Sequence, residues 1–209
     1  MDSIARLKPH IVVMASGRGT NFQAIIDASK SGRLLGEVVG LICDNPNATA
    51  LDRAERHGIP SVVVERKSYP SRREFERQLV SVAKRFLPDL IVLAGFMWLL
   101  GKTFLNEFPE KVINIHPSLL PAFRGLDAQR QALDYGVRYT GCTVHFVDEG
   151  TDTGPIIGQR VVPVMPDDTE DILAARILGE EHSLMIECIN AVLDGKVKTD
   201  GRKVIIYGG

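Results

Sequence analysis

An excess of charge of either sign is missing from this 209-residue chain, in which 25 Lys and Arg stand against 26 Asp and Glu. That balance removes the electrostatic footprint that a nucleic-acid-binding surface needs. Cysteine is scarce as well. Cys43, Cys142 and Cys188 are odd in number and far apart, which argues against a disulfide framework and fits a reducing compartment. No apolar run is long enough for a membrane span, and the one in "MDSIARLKPHIVVMASG" is too short for a signal peptide. Internal repeats, low-complexity tracts and linker-like stretches are also lacking. The expectation is therefore one soluble, cytoplasmic domain over residues 1–209, with an apolar fraction of 44% that easily sustains a core.

What the chain does contain is an alternation of short apolar runs and amphipathic stretches. "HIVVMAS" (10–16), "EVVGLICD" (37–44), "SVVVE" (61–65), "DLIVLAGF" (89–96) and "KVINIH" (111–116) read as strands. Between them, "NFQAIIDASKSG", "ATALDRAERHGI" and "SRREFERQLVSVAKRF" carry apolar residues at helical spacing. Strands apolar on both faces, alternating with helices, predict an α/β fold: a single-domain, open, mostly parallel twisted sheet with helices on both faces, Rossmann-like. After Pro117 the pattern changes. A short helix in "LDAQRQALDYG" precedes two strands, "GCTVHFVDEG" and "PIIGQRVVPVM", separated by an acidic turn. A long helix is expected from an Asp168 N-cap to Leu193, then a hairpin around Asp200 and Gly201.

The first turn, "ASGRGTNFQ", sets Gly17 and Gly19 between strand and helix, where backbone N–H groups face an anion. Phe22 stands where a dinucleotide fingerprint needs a small residue, and no Gly-Lys-Ser/Thr follows, so neither a dinucleotide nor a Walker loop is indicated. Asp44 keeps the place of a ribose-binding acid. Thr20 and Asn21 supply a hydroxyl and an amide suited to a terminal monophosphate.

The stretch "NIHPSLLP" (114–121) interrupts a buried strand with Asn114 and His116, which share one face by strand alternation, and Pro117 ends it at the carboxyl edge where such sheets bind ligands. An amide beside an imidazole suits oxyanion stabilisation coupled to proton transfer. The imidazole needs a carboxylate, and "VDEGTDTGP" offers Asp148, Glu149 and Asp152; Thr153 and Gly154 would let the backbone near Asp152 approach a ligand. His145 reads as a satisfied strand histidine. No residues lie at tight metal-ligand spacing, so no metal is expected.

Taken in order, "IVVMASGRGTN", "LAGFM", "NIHPSLLP" and "VHFVDEGTDTGPII" resemble the folate-dependent phosphoribosylglycinamide formyltransferases over nearly the whole chain. The resemblance implies that Asn114, His116 and Asp152 are catalytic. It implies ribonucleotide binding by Gly19, Thr20, Asn21 and Glu181, and folate binding by Arg72, Met97, Trp98, Leu99, Leu100 and Asn114. Glu181 has independent support, because it interrupts the apolar stripe of Ile177 and Leu184 and so needs a partner. By the same resemblance the nucleotide half covers about 1–110, the folate and catalytic part about 89–195, and a tail 196–209. The co-substrate would be 10-formyltetrahydrofolate, and the partners small molecules only, in a monomer or homodimer. Trp98 stands where these enzymes usually carry Arg, and Asp127 near a common His.

The implied reaction is direct acyl transfer, with Asn114 and a protonated His116 stabilising a tetrahedral oxyanion and Asp152 relaying a proton. A formyltetrahydrofolate deformylase would share the three residues but is expected to carry a regulatory domain. A methionyl-tRNA formyltransferase would need an RNA-binding domain and a basic surface. A non-catalytic nucleotide-binding module would leave Asn114, His116 and Asp152 without a role.

Overall fold

The computed structural model describes residues 8–207; the ends of the 1–209 domain reading, 1–7 and 208–209, lie outside the described residues. The first half runs β1 (His10–Ala15), α1 (Thr20–Lys30), β2 (Glu37–Cys43), α2 (Thr49–Arg56), β3 (Ser61–Val63), α3 (Arg72–Arg85) and β4 (Leu90–Leu93). The second runs α4 (Lys102–Leu105), β5 (Val112–His116), α5 (Ala128–Tyr135), β6 (Tyr139–Phe146), β7 (Ile156–Pro163), α6 (Glu170–Leu193), β8 (Val197–Asp200) and β9 (Lys203–Ile206). The seven-stranded sheet has the order β3-β2-β1-β4-β5-β6-β7, and β8 pairs with β9 alone. Pairings from β3 to β5 are parallel, whereas β6 runs antiparallel to both β5 and β7.

Alternation along the central strands sorts the core into two layers. Ile11, Val13, Leu90, Val92, Ile113 and Ile115 join the layer that includes Phe22 of α1 and Ile177 of α6. Val12, Met14, Ile91, Leu93 and Val112 pack with Phe75, Leu79 and Val82 of α3. Both faces of β1 and β4 are therefore covered, which is why these strands read as unbroken apolar runs. The strand order reverses between β1 and β4, so their following loops diverge and open a crevice at the carboxyl edge.

Some boundaries differ from the sequence expectation. β3 ends at Val63 and β4 at Leu93; Gly95, at φ 77, turns the chain away soon after. The helix α4 carries no periodicity long enough to be read in advance. Thr169, not Asp168, caps α6, its hydroxyl accepting the Ile172 N–H at 3.3 Å. Asp168 accepts instead from the Met165 N–H and twice from the Arg176 guanidinium. No helix among the described residues is long and apolar enough to cross a membrane.

Candidate active site

The loops after β1, β4 and β5 follow one another along the carboxyl edge and line a cavity of about 940 Å³. Its walls include Gly19, Thr20, Asn21, the Met97–Leu100 loop, Asn114, His116, Asp152 and Glu181. Asp152 arrives by a less direct route. Phe146 pairs opposite Ile113, so the chain leaves β6 beside the start of β5. The 147–155 loop then returns along β5 until Asp152 Oδ2 lies 3.3 Å from His116 Nδ1. Gly154 has a different role from the one expected: a Cβ there would sit 1.8 Å from the Phe146 carbonyl oxygen, so the close approach is to backbone.

His116, 5% exposed, donates its Nε2–H to the Phe123 carbonyl at 2.8 Å. The Nδ1 that faces Asp152 is therefore bare in the neutral ring. Burial pushes this imidazole below the ordinary histidine value, and His145 adds to the effect; together they outweigh the Phe123 carbonyl and the Asp152 carboxylate, which favour the cation. Burial thus favours a neutral imidazole beside the Asp152 carboxylate in the unliganded site. Burial raises the Asp152 carboxyl, but hydrogen bonding with His145, the Gly125 N–H at 2.9 Å and the two imidazoles prevail and hold it below the usual carboxylate range.

His145 is the member that sequence reasoning left out. It is satisfied, as expected of a strand histidine, but by the site itself. Its Nδ1–H donates to the Phe146 carbonyl at 2.7 Å, and its Nε2 lies 3.3 Å from Asn114 Nδ2. Asp152 Oδ1 lies 3.6 Å from the same Nε2. The signal was present in part: alternation puts Thr143 and His145 on one face of "TVHFV". Only the β5–β6 register, which aligns Asn114 with His145 and His116 with Thr143, brings that face to the site.

At the first turn, Gly19 forms the left-handed N-cap of α1 with φ 67, and no side chain caps the helix. A Cβ on Gly19 would lie 2.8 Å from Ala50 Cβ and 3.0 Å from Ala50 Cα. Gly19→Ala is therefore expected to lower stability by about 1–3 kcal/mol, measured by urea unfolding. Asn21 spends its amide on Glu181 Oε2 at 2.8 Å, and its Oδ1 is buried without a partner.

Glu181, 7% exposed, has its carboxyl raised by burial, which the Asn21 hydrogen bond only partly offsets. A raised carboxyl costs stability once pH passes its unfolded value, because the folded protein must then hold a proton that the unfolded chain releases, or bury a charge. Glu181→Gln is expected to raise Tm at pH 7, with the gain vanishing as pH falls below the ordinary glutamate range. A Tm at pH 7 equal to or below that of the parent chain would contradict this burial cost.

Arg72 is not among the residues lining the cavity. It donates to Glu76 Oε1 at 2.8 Å and to the Leu99 carbonyl at 3.0 Å, while Glu76 accepts the Gly101 N–H at 2.9 Å. Arg72 and Glu76 thus fasten the 97–101 loop from behind. Trp98 is 44% exposed on the cavity side, and its indole N–H donates to Asp44 Oδ2 at 2.7 Å. Asp44 therefore holds the loop rather than standing free for a ribose. Met97 and Leu99 are exposed and Leu100 is buried. Asp127, in the left-handed region at φ 56, also lines the cavity. The three cysteines are free and buried, and burial, followed by the charge of Glu181, pushes the Cys142 thiol up to about 12. A protonated, buried thiol does not serve as a nucleophile.

The family model for formyl transferase matches residues 9–189. The chain belongs to the formyl transferase family. Phosphoribosylglycinamide formyltransferase of Bacillus subtilis is 44% identical over 181 residues, covering 87% of this chain and 93% of that protein. The Escherichia coli protein of the same name is 40% identical over 90% of this chain and 89% of its own length. The trifunctional purine biosynthetic protein adenosine-3 of Drosophila melanogaster is 42% identical over 194 residues, and this formyl transferase spans 14% of that protein's length. A crystal structure of glycinamide ribonucleotide transformylase 1 from Symbiobacterium toebii superimposes with a TM-score of 0.96 at 44% identity, covering 100% of this chain and 99% of that one. A formyltetrahydrofolate deformylase from Pseudomonas syringae shares the fold at TM-score 0.90 and 26% identity, with 67% of its length covered.

Proposed function

We propose that this formyl transferase moves the formyl group of 10-formyltetrahydrofolate to the primary amine of 5'-phosphoribosylglycinamide, a step of de novo purine synthesis. The observation that carries the reading is the meeting of amide, imidazole and carboxylate in one cavity with the Gly17–Asn21 turn and the Met97–Leu100 loop. In the proposal the turn and Glu181 take the phosphoribosyl group, within a nucleotide half of about 1–110. The pterin lies against the 97–100 loop, within the folate part of about 89–195. Arg72 contributes by fixing that loop.

The free amine attacks the formyl carbon, forming a C–N bond and a tetrahedral centre with a negative oxygen. Asn114 Nδ2 donates to that oxygen. His116, neutral at rest, takes the proton released by the amine at the nitrogen facing Asp152, and the carboxylate steadies the resulting imidazolium. The imidazolium returns the proton to N10 of the folate as the C–N10 bond breaks. One proton leaves the amine and one arrives on N10, so no covalent enzyme intermediate is required.

The test is a spectrophotometric assay of folate product with and without glycinamide ribonucleotide. Product that depends on the ribonucleotide supports the transferase. Equal product without it makes water the acceptor, the reaction named for the deformylase that shares this fold.

A further inference from the structure

The segment 123–127 holds both partners of the catalytic pair. Its Phe123 carbonyl accepts from His116 Nε2 at 2.8 Å, and its Gly125 N–H donates to Asp152 Oδ2 at 2.9 Å. Yet the segment zigzags through the left-handed region, with φ of 52 at Phe123, 80 at Gly125 and 56 at Asp127. Phe and Asp persist there only when their surroundings hold them. The two carbonyls between these positions, those of Arg124 and Leu126, both accept from one side-chain amide, Gln131 Nε2, at 3.1 and 2.8 Å. Gln131 lies on α5, whose own helical bond runs from the Gln131 N–H back to the Asp127 carbonyl. A single side chain therefore clips the loop to the helix that follows it.

We propose that Gln131 is a positioning residue for the catalytic pair. By pinning Arg124 and Leu126 it fixes the Phe123 carbonyl against His116 and the Gly125 N–H against Asp152. The role rests on the proposed formyl transfer only for its kinetic consequence; the geometric part stands by itself. The titratable groups facing His116 are Asp152 on the 147–155 loop and His145 on β6. The Gln131 side chain hydrogen-bonds to the Arg124 and Leu126 carbonyls and to neither of these groups, so a change in His116 on altering Gln131 is expected to travel through the loop. The Phe123 hydrogen bond favours the imidazolium, so slackening it lowers the pH at which His116 titrates.

The test is Gln131→Met, which keeps length and helix propensity but cannot donate. Gln131 is exposed on α5, and circular dichroism checks that the fold is kept. The expected result is a His116 titration displaced to lower pH, followed by NMR of the ring protons, and a kcat reduced roughly ten-fold. A misplacement near 1 Å costs on the order of 10²-fold, and a loosened loop costs less. KM for the ribonucleotide is expected to stay within about two-fold, since its proposed contacts lie at the Gly17–Asn21 turn. Gln131→Glu, whose carboxylate repels both carbonyls, is expected to show the same displacement more strongly. An unchanged His116 titration in both variants overturns the proposal, whatever kcat does, and so does an unchanged kcat. If the parent chain forms no formylated ribonucleotide, the function proposed above fails, while the titration still decides the role of Gln131.

Discussion

Asn114→Ala is expected to lose about 10²–10³ in kcat while keeping the fold and most substrate affinity. The amide sits on β5, opposite His145, and in the proposed mechanism its Nδ2 is the donor to the developing oxyanion. In the unliganded site it stands 3.3 Å from His145 Nε2, a long and weak contact that a negative oxygen readily displaces. The donor is thus aimed by strand and register before substrate arrives, so its contribution falls on the transition state. The loss should appear in kcat and kcat/KM together. Steady-state kinetics with a circular-dichroism check measure it, and a rate within a few-fold of the parent would remove Asn114 from the chemistry.

Asp152→Asn should be of similar or larger consequence, about 10²–10⁴ in kcat, the range for a lost proton-transfer partner. The substitution preserves size and an oxygen that can accept the Gly125 N–H, so the loop should stay in place. What disappears is the charge that steadies an imidazolium at His116. The pH profile gives the sharper signature. His116 is held below 6.5 by burial, so the neutral, proton-accepting form is present above its folded value and lost as pH falls through it. Removing the carboxylate removes an influence that raises this value, so the acidic limb moves to lower pH while the plateau drops. Linkage adds a stability effect. The depressed carboxyl of Asp152 contributes stability present above the unfolded aspartate value and lost as pH falls through the folded one. The Asn variant should therefore be less stable near neutrality and lose less on acidification. A plateau reduced without movement of the acidic limb would contradict the pairing of Asp152 with His116.

Much of this arrangement was legible because its signals are local. The apolar runs of β1 and β4 announce strands covered on both sides, and the Asn114–His116 alternation with Pro117 announces a strand end that faces a ligand. Glu181 betrayed itself by breaking an apolar helix stripe, and its partner is Asn21, 160 positions away in sequence. What was not legible depends on register and on packing between distant elements. His145 looks like any strand histidine until β6 is paired with β5. Arg72 looks like a free cation until α3 is set behind the 97–101 loop, where Glu76 and the Leu99 carbonyl claim it. Asp44 looks like a ribose acid until the indole of Trp98 reaches it. At His116 the sequence shows the nearby carboxylates but hides the burial that disfavours the cation.

The most direct test of the account is a single-turnover experiment with 10-formyltetrahydrofolate carrying an isotopic label in the formyl carbon. Direct transfer at Asn114, His116 and Asp152 predicts label in N-formylated ribonucleotide, none on the protein, and no release of labelled formate when the ribonucleotide is withheld. Label retained on the protein, or formate released at the same rate without the ribonucleotide, would contradict it.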